Sequence, residues 1–179
     1  MFMAGWRRKE RRAAARAAYG RIVARAREPG LYAAWSVPDT LDGRFELLAL
    51  HAFLVLNRLK REAPPAKEFA QELFDTMFTD LDRGVRESGA ADLGVGRRVK
   101  AMARGFFGRI AAYDKGLGDE TELRAALRRN LFGTVPDVGD APIEKAARYL
   151  RDQAAALAAV PVERLVAGEV PFAPLPEAA

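Results

Sequence analysis

The apolar residues of this chain recur every three or four positions along almost its whole length. This spacing lines up side chains on one face of an α-helix, and no convincing run shows the period of two that marks a β-strand. The clearest series keeps a 4-3-4-3-4 spacing: Leu41, Phe45, Leu48, Ala52, Val55 and Leu59. The pattern therefore predicts an all-α protein.

Proline and glycine divide the pattern into about six main helices. The breaks fall at Pro29-Gly30, Pro64-Pro65, Ser88-Gly89 and Gly116-Leu117-Gly118. We expect Asp39 or Thr40 to cap the second helix, and Asp119 or Thr121 to cap the fifth. The second helix is apolar on two faces, which places it in the middle of a bundle, and the short loops favour an antiparallel arrangement.

The length of 179 residues, half of them hydrophobic, suits a single domain with a sizeable core. We predict a basic helical arm over residues 1–28, a helical domain over residues 29–169, and an extended tail over residues 170–179 that contains three prolines.

Positive charge is concentrated in the arm. The whole chain has a formal net charge of +5. Residues 1–28 contain nine basic and two acidic residues, so their local net charge is +7. The candidate contacts for a polyanion are Arg7, Arg8, Lys9, Arg11, Arg12 and Arg16. Such an arm favours RNA, anionic lipid headgroups or an acidic protein face, or it is a solvated helix that aids solubility. One hypothesis is therefore a basic RNA-binding helical protein.

The composition excludes several kinds of site. The chain has no cysteine, which rules out disulfides and thiolate chemistry, and its single histidine, His51, rules out a multi-histidine metal site. His51 lies among leucines on the doubly apolar helix, so we interpret it as a core histidine bonded to a polar partner. We expect no catalytic constellation, no cofactor and no metal.

Acidic residues leave one enzymatic alternative open. Asp39 and Asp42 could hold Mg²⁺ for a diphosphate substrate, as in an all-α enzyme of isoprenoid type, if Asp80 or Asp82 faced them. Capping of a helix N-terminus explains Asp39 and Asp42 better. For Asp80 we expect an ion pair with an arginine.

The fourth helix carries five basic residues and no acid between them: Arg97, Arg98, Lys100, Arg104 and Arg109. Its basic face, Arg97, Lys100 and Arg104, could bind phosphates. It could equally pair with the acidic outer face of the third helix, and the sequence leaves both possibilities open.

The longest apolar stretch, Leu47–Leu56, has ten residues, whereas a membrane-spanning helix needs roughly 20. The arm has no apolar core of the kind found in secretory signals. We therefore expect a cytoplasmic protein, with a peripheral location at the inner face of the cytoplasmic membrane as an option.

Four segments in order resemble the ubiquinol–cytochrome c chaperone family. They are WSVPDTLDGRFELLALHAFLVLNRLK from Trp35, AQELFDTMFTDLD from Ala70, GVGRRVK from Gly94 and YDKGL from Tyr113, followed by residues 123–132. The resemblance spans roughly residues 31–132, and the arm and the tail lie outside it.

The resemblance implies a non-catalytic assembly factor for the cytochrome bc1 complex. It implies cytochrome b or other bc1 subunits as clients, action near the ribosome, and a small helical partner protein. The charge of the basic arm suits contact with the ribosome or with an anionic membrane surface. Arg44, His51, Asp80 and Arg98 match motif positions of the family. Together with Asp39 and Asp42 they are our candidates for a client-binding site.

Overall fold

The computed structural model describes residues 2–87 and 92–175, with side chains from residues 7–87 and 94–175. Within these ranges the chain forms eight helices and no strand. They are α1 (Phe2–Ala26), α2 (Pro29–Trp35), α3 (Leu41–Leu59), α4 (Pro64–Glu87), α5 (Asp92–Leu117), α6 (Glu120–Arg129), α7 (Asp140–Ala158) and α8 (Val162–Val166). Six of these have ten residues or more, so the prediction of an all-α fold with six main helices is confirmed.

Local sequence sets the helix ends. Pro29 is the first residue of the short helix α2, a position that needs no backbone N–H, and Ser36 ends that helix in the left-handed conformation with φ 57°. Thr40 caps α3 by accepting a hydrogen bond from the Gly43 backbone N–H, and Asp119 caps α6. One of the two residues predicted at each cap is therefore confirmed.

Helix α3 lies at the centre of the molecule and contacts α1, α4, α5 and α7. Every residue from Leu47 to Val55 is buried, as the two apolar faces predicted. A fully buried leucine or phenylalanine contributes about 1.5–3 kcal/mol to stability, so this helix is the main contributor to the core.

Helix α1 and the segment that follows α8 both join this core. Ala15, Ala18 and Ile22 of α1 are fully buried, and α1 packs against α3 and α4. After α8 the chain continues without helix, and Val170 is buried. Ser88-Gly89, the predicted end of the third main helix, and residues 176–179 of the predicted tail lie outside the described residues.

Candidate functional site

A cleft of about 190 Å³ opens between α1, α3, α4 and α5. Its lining is mostly apolar, with charged side chains among the lining residues: Tyr19, Val23, Ala26, Arg27, Leu41, Arg44, Phe45, Leu48, Asp80, Leu81, Gly84, Val85 and Met102. Arg44 and Asp80 come from different helices, and both were predicted site residues. The structure thus brings two of the six candidates to one cavity.

The start of α3 presents the exposed apolar side chain of the cleft. Leu41, the first residue of the helix, is 53% exposed although leucine usually lies inside proteins. The turn before it is tight, because a Cβ on Gly43 would lie 2.0 Å from the Pro38 carbonyl oxygen. Only glycine allows α3 to begin this close to the Val37–Pro38 backbone, and this packing fixes where Leu41 lies.

Asp80 is held by a tyrosine of α1. The Tyr19 hydroxyl donates a 2.8 Å hydrogen bond to Oδ2 of Asp80, and an Arg83 nitrogen lies 3.9 Å from Oδ1. Burial raises the pKa of Tyr19, and the hydrogen bond to Asp80 raises it further, so Tyr19 stays a donor at neutral pH. The predicted arginine pair therefore exists only at long range, and a neutral donor holds the carboxylate more closely.

Arg44 forms a two-pronged pair with Asp39. Its Nε and one terminal nitrogen lie 2.6 and 3.1 Å from the two carboxylate oxygens. The hydrogen bonds from Arg44 lower the pKa of Asp39, so this carboxylate stays ionised in the pair. Both side chains are more than half exposed, which leaves them accessible from the mouth of the cleft.

Next to Phe45, a second ion pair between an arginine and a carboxylate joins α5 to α3. Arg109 donates to both carboxylate oxygens of the mostly buried Glu46, one at 2.7 Å, and its guanidinium lies 5.3 Å from the centre of the Phe45 ring. Burial raises the pKa of Glu46, whereas the hydrogen bonds from Arg109 oppose this shift. Arg109 is thus directed to the interior and is not part of the exposed basic face of its helix.

His51 lies in the core and does not line the cleft. Its Nδ1 lies 2.7 Å from the Leu47 carbonyl oxygen and its Nε2 lies 2.8 Å from the Tyr149 hydroxyl. Burial lowers its pKa to about 4, so it is neutral at neutral pH. This is the core histidine with a polar partner that the sequence indicated, and it presents no atom to a client.

Asp42 and Arg98 are exposed but are not lining residues of the cleft. Two of the six candidate polyanion contacts in the arm have acidic partners on α4: Arg11 pairs with Glu68, and Arg12 with Glu72 at 3.0 Å. The acidic face of α4 is therefore engaged by α1, which sequence reasoning had not considered. Arg7, Arg8, Lys9 and Arg16 are exposed.

The cleft also contains residues that the sequence analysis assigned to the core or did not single out. Phe45 belongs to the apolar series of α3 that predicted only packing, and Tyr19 and Val23 follow the same spacing in α1. The one available signal was Leu41, an apolar residue at the first position of a helix, where no preceding turn of the same helix covers its side chain.

Among residues 7–87 and 94–175, no group of three or more His, Asp or Glu could hold a metal ion. No helix in the described part of the chain is long and apolar enough to cross a membrane.

Comparison with known proteins gives one consistent family. A profile described as Ubiquinol-cytochrome C chaperone matches residues 33–172. Ubiquinol-cytochrome-c reductase complex assembly factor 1 of Xenopus laevis is 31% identical over 144 residues, covering 79% of this chain and 72% of the frog protein. Protein CBP3, mitochondrial, of Saccharomyces cerevisiae is 27% identical over 144 residues, covering 77% of this chain and 42% of the yeast protein. The match to the Mus musculus assembly factor 1 covers 48% of that protein, so this chain spans less than half of the mouse and yeast relatives.

A solved structure shows the same fold. The crystal structure of the Cbp3 homolog from Brucella abortus superposes with a TM-score of 0.83 at 37% sequence identity, and the match covers 98% of each chain.

Proposed function

The chain belongs to the ubiquinol-cytochrome C chaperone family, and we propose that it is an assembly factor of the ubiquinol–cytochrome c reductase complex that holds newly made cytochrome b. Its frog and mouse relatives are named as assembly factors, a non-enzymatic role. The small helical partner that the resemblance implies stays a prediction.

The cleft supports the client-binding part of this proposal. Its volume of about 190 Å³ is below the roughly 300–1,000 Å³ of pockets that enclose small-molecule ligands. A cleft of this size takes one or two side chains of a larger partner. Its apolar walls suit a hydrophobic anchor of a membrane protein, and Arg44 and Asp80 offer charges of both signs to the polar groups beside that anchor.

The magnesium-dependent alternative receives no support from these contacts. The Asp39 carboxylate is occupied by Arg44, and the Asp80 carboxylate accepts from Tyr19.

In the arm, Arg7, Arg8, Lys9 and Arg16 are exposed, which supports contact with a polyanionic surface such as ribosomal RNA or anionic lipid.

The experiment uses a strain that lacks the gene and carries a variant copy. We expect loss of the gene to remove the cytochrome bc1 signal from the reduced-minus-oxidised haem spectrum of membranes, and the intact gene to restore it. A photo-crosslinking amino acid at position 41 should form adducts with newly made cytochrome b. The same amino acid at position 129, an exposed position of α6 that does not line the cleft, should not.

A charge reversal gives the matched comparison. Arg44→Glu should reduce the yield of the position-41 adduct several-fold, because a rim charge that faces the client changes sign. Arg128→Glu is the control. Arg128 forms an ion pair with Asp140 at 2.8 Å that is similarly exposed, and this pair does not line the cleft. Equal adduct yields for the two variants, or adducts only from position 129, would contradict the proposed client site.

A further inference from the structure

We infer that the solvent face of α5 docks on a membrane surface that contains anionic phospholipid. The contact surface, here called the basic stripe, consists of Arg97, Lys100, Arg104 and the exposed ring of Phe107. This inference is independent of the proposed client, because it concerns a different face of the molecule.

The basic stripe is a single face of a regular helix. The spacings of three, four and three residues from Arg97 to Phe107 keep these side chains in line, over about 15 Å at 1.5 Å per residue. All four residues are exposed, whereas Val95 and Phe106 on the other side of α5 are fully buried. The stripe thus points away from the core along its whole length.

The three cations of the stripe lack an acidic partner among the described residues. Within the described part of the chain, none of its three cations takes part in a hydrogen bond or an ion pair. The basic residues of α5 that have acidic partners lie outside the stripe: Arg109 is directed inward to Glu46, and Lys115 pairs with Glu122 of α6. A face with three uncompensated cations attracts anionic surfaces.

Among the described residues, no acid of the neighbouring helix α4 forms an ion pair with this face. Glu68 and Glu72 pair with the arm, Asp75 accepts from Gln71, and Asp82 accepts from Arg86 at 2.8 Å. The open alternative from the sequence, in which the basic face of α5 pairs with the acids of α4, is therefore not what the structure shows.

Phe107 favours a lipid surface over RNA. Its side chain is 57% exposed, and one face of the ring stacks on Phe74 at 5.3 Å between ring centres. That face is closed to the base stacking by which proteins hold single-stranded RNA, while the free side of the ring can enter the headgroup region. Exposed small residues beside the stripe, Ala101, Gly108 and Ala111, allow the helix to approach a flat surface closely.

The test is co-sedimentation of the purified full chain with vesicles of phosphatidylcholine alone or with about 30% phosphatidylglycerol. Each basic residue near an anionic membrane raises the affinity about five-fold. The triple variant R97Q/K100Q/R104Q should therefore bind the anionic vesicles on the order of a hundred-fold more weakly. The matched control R129Q/K145Q/R148Q removes the same charge from exposed positions on α6 and α7 and should stay close to the unmodified protein. Circular dichroism confirms that both variants are folded.

A second measurement distinguishes binding to lipid from binding to RNA. Phe107→Ala should weaken binding to anionic vesicles and leave binding to a single-stranded RNA oligonucleotide unchanged. Equal vesicle binding by the stripe variant and the unmodified protein, or an equal loss in the matched control, would overturn the inference. So would a Phe107→Ala variant that loses RNA binding and keeps vesicle binding.

Discussion

At the scale of single residues, His51 gives the fold a defined pH dependence. Because the Leu47 carbonyl can only accept, Nδ1 carries the proton and Nε2 accepts from the Tyr149 hydroxyl. Burial lowers the pKa of His51 from 6.5 to about 4, so between these values the unfolded chain binds more protons than the folded one. The free energy of unfolding should therefore decrease as the pH falls through this window, by about 3 kcal/mol from this group.

His51→Gln should remove this part of the pH dependence, as measured by urea unfolding between about pH 4 and 7. Tyr149→Phe is the matched variant, because it removes the hydroxyl donor but keeps the titrating ring. It should lower stability by about 1–3 kcal/mol at neutral pH and retain the decrease in acid. The prediction is wrong if His51→Gln and the unmodified protein lose stability equally over this range.

At the scale of elements, the close approach of α3 to the preceding turn depends on Gly43. A methyl group at this position would meet the Pro38 carbonyl oxygen, which is backbone and cannot swing aside. Gly43→Ala should therefore lower the free energy of unfolding by about 1–3 kcal/mol, and by more if the Thr40 cap is also lost. Gly20→Ala in α1, where a Cβ meets nothing within 4 Å, should instead be neutral or stabilising by up to about 1 kcal/mol. Thermal unfolding of the two variants gives the comparison, and equal shifts of Tm would refute the packing argument.

Elements differed in how far the sequence predicted them. The six long helices followed from their apolar spacing, and Thr40 and Asp119 followed from the chemistry of helix caps. Helices α2 and α8 have seven and five residues, which is too short for a period of 3.6 to be visible. The cleft could not be predicted, because Tyr19, Leu41 and Asp80 come from three helices and meet only through the way these helices pack. The same holds for Arg11 and Arg12, whose charge was evident but whose neighbour on α4 was not.

At the scale of the whole molecule, the segment after α8 joins the two ends of the chain. The Gln153 amide donates to the Ala173 carbonyl oxygen at 3.0 Å and accepts from the Ala173 backbone N–H at 2.9 Å. Arg25 of α1 donates to the same carbonyl oxygen at 2.8 Å, and its guanidinium lies 5.5 Å from the centre of the Phe172 ring. Phe172 in turn packs nearly perpendicular to the His51 ring of α3, with the ring centres 5.4 Å apart. This segment therefore links α1 and α7 through the Ala173 backbone, and it contacts α3 through the adjacent Phe172 ring.

Because Arg25 and Gln153 share the Ala173 carbonyl, their contributions to stability should be coupled. Each alanine variant alone should lower the free energy of unfolding by about 1–3 kcal/mol, since it leaves part of this site unpaired. The double variant should lose less than the sum by about 0.5 kcal/mol or more, because the first substitution already loosens the segment that the second one holds. Arg25→Ala combined with Arg128→Ala, whose partner is Asp140 and which shares no contact with Ala173, should be additive within about 0.5 kcal/mol. Additivity of the Arg25 and Gln153 variants in urea unfolding would show that the segment does not act as one link between the ends of the chain.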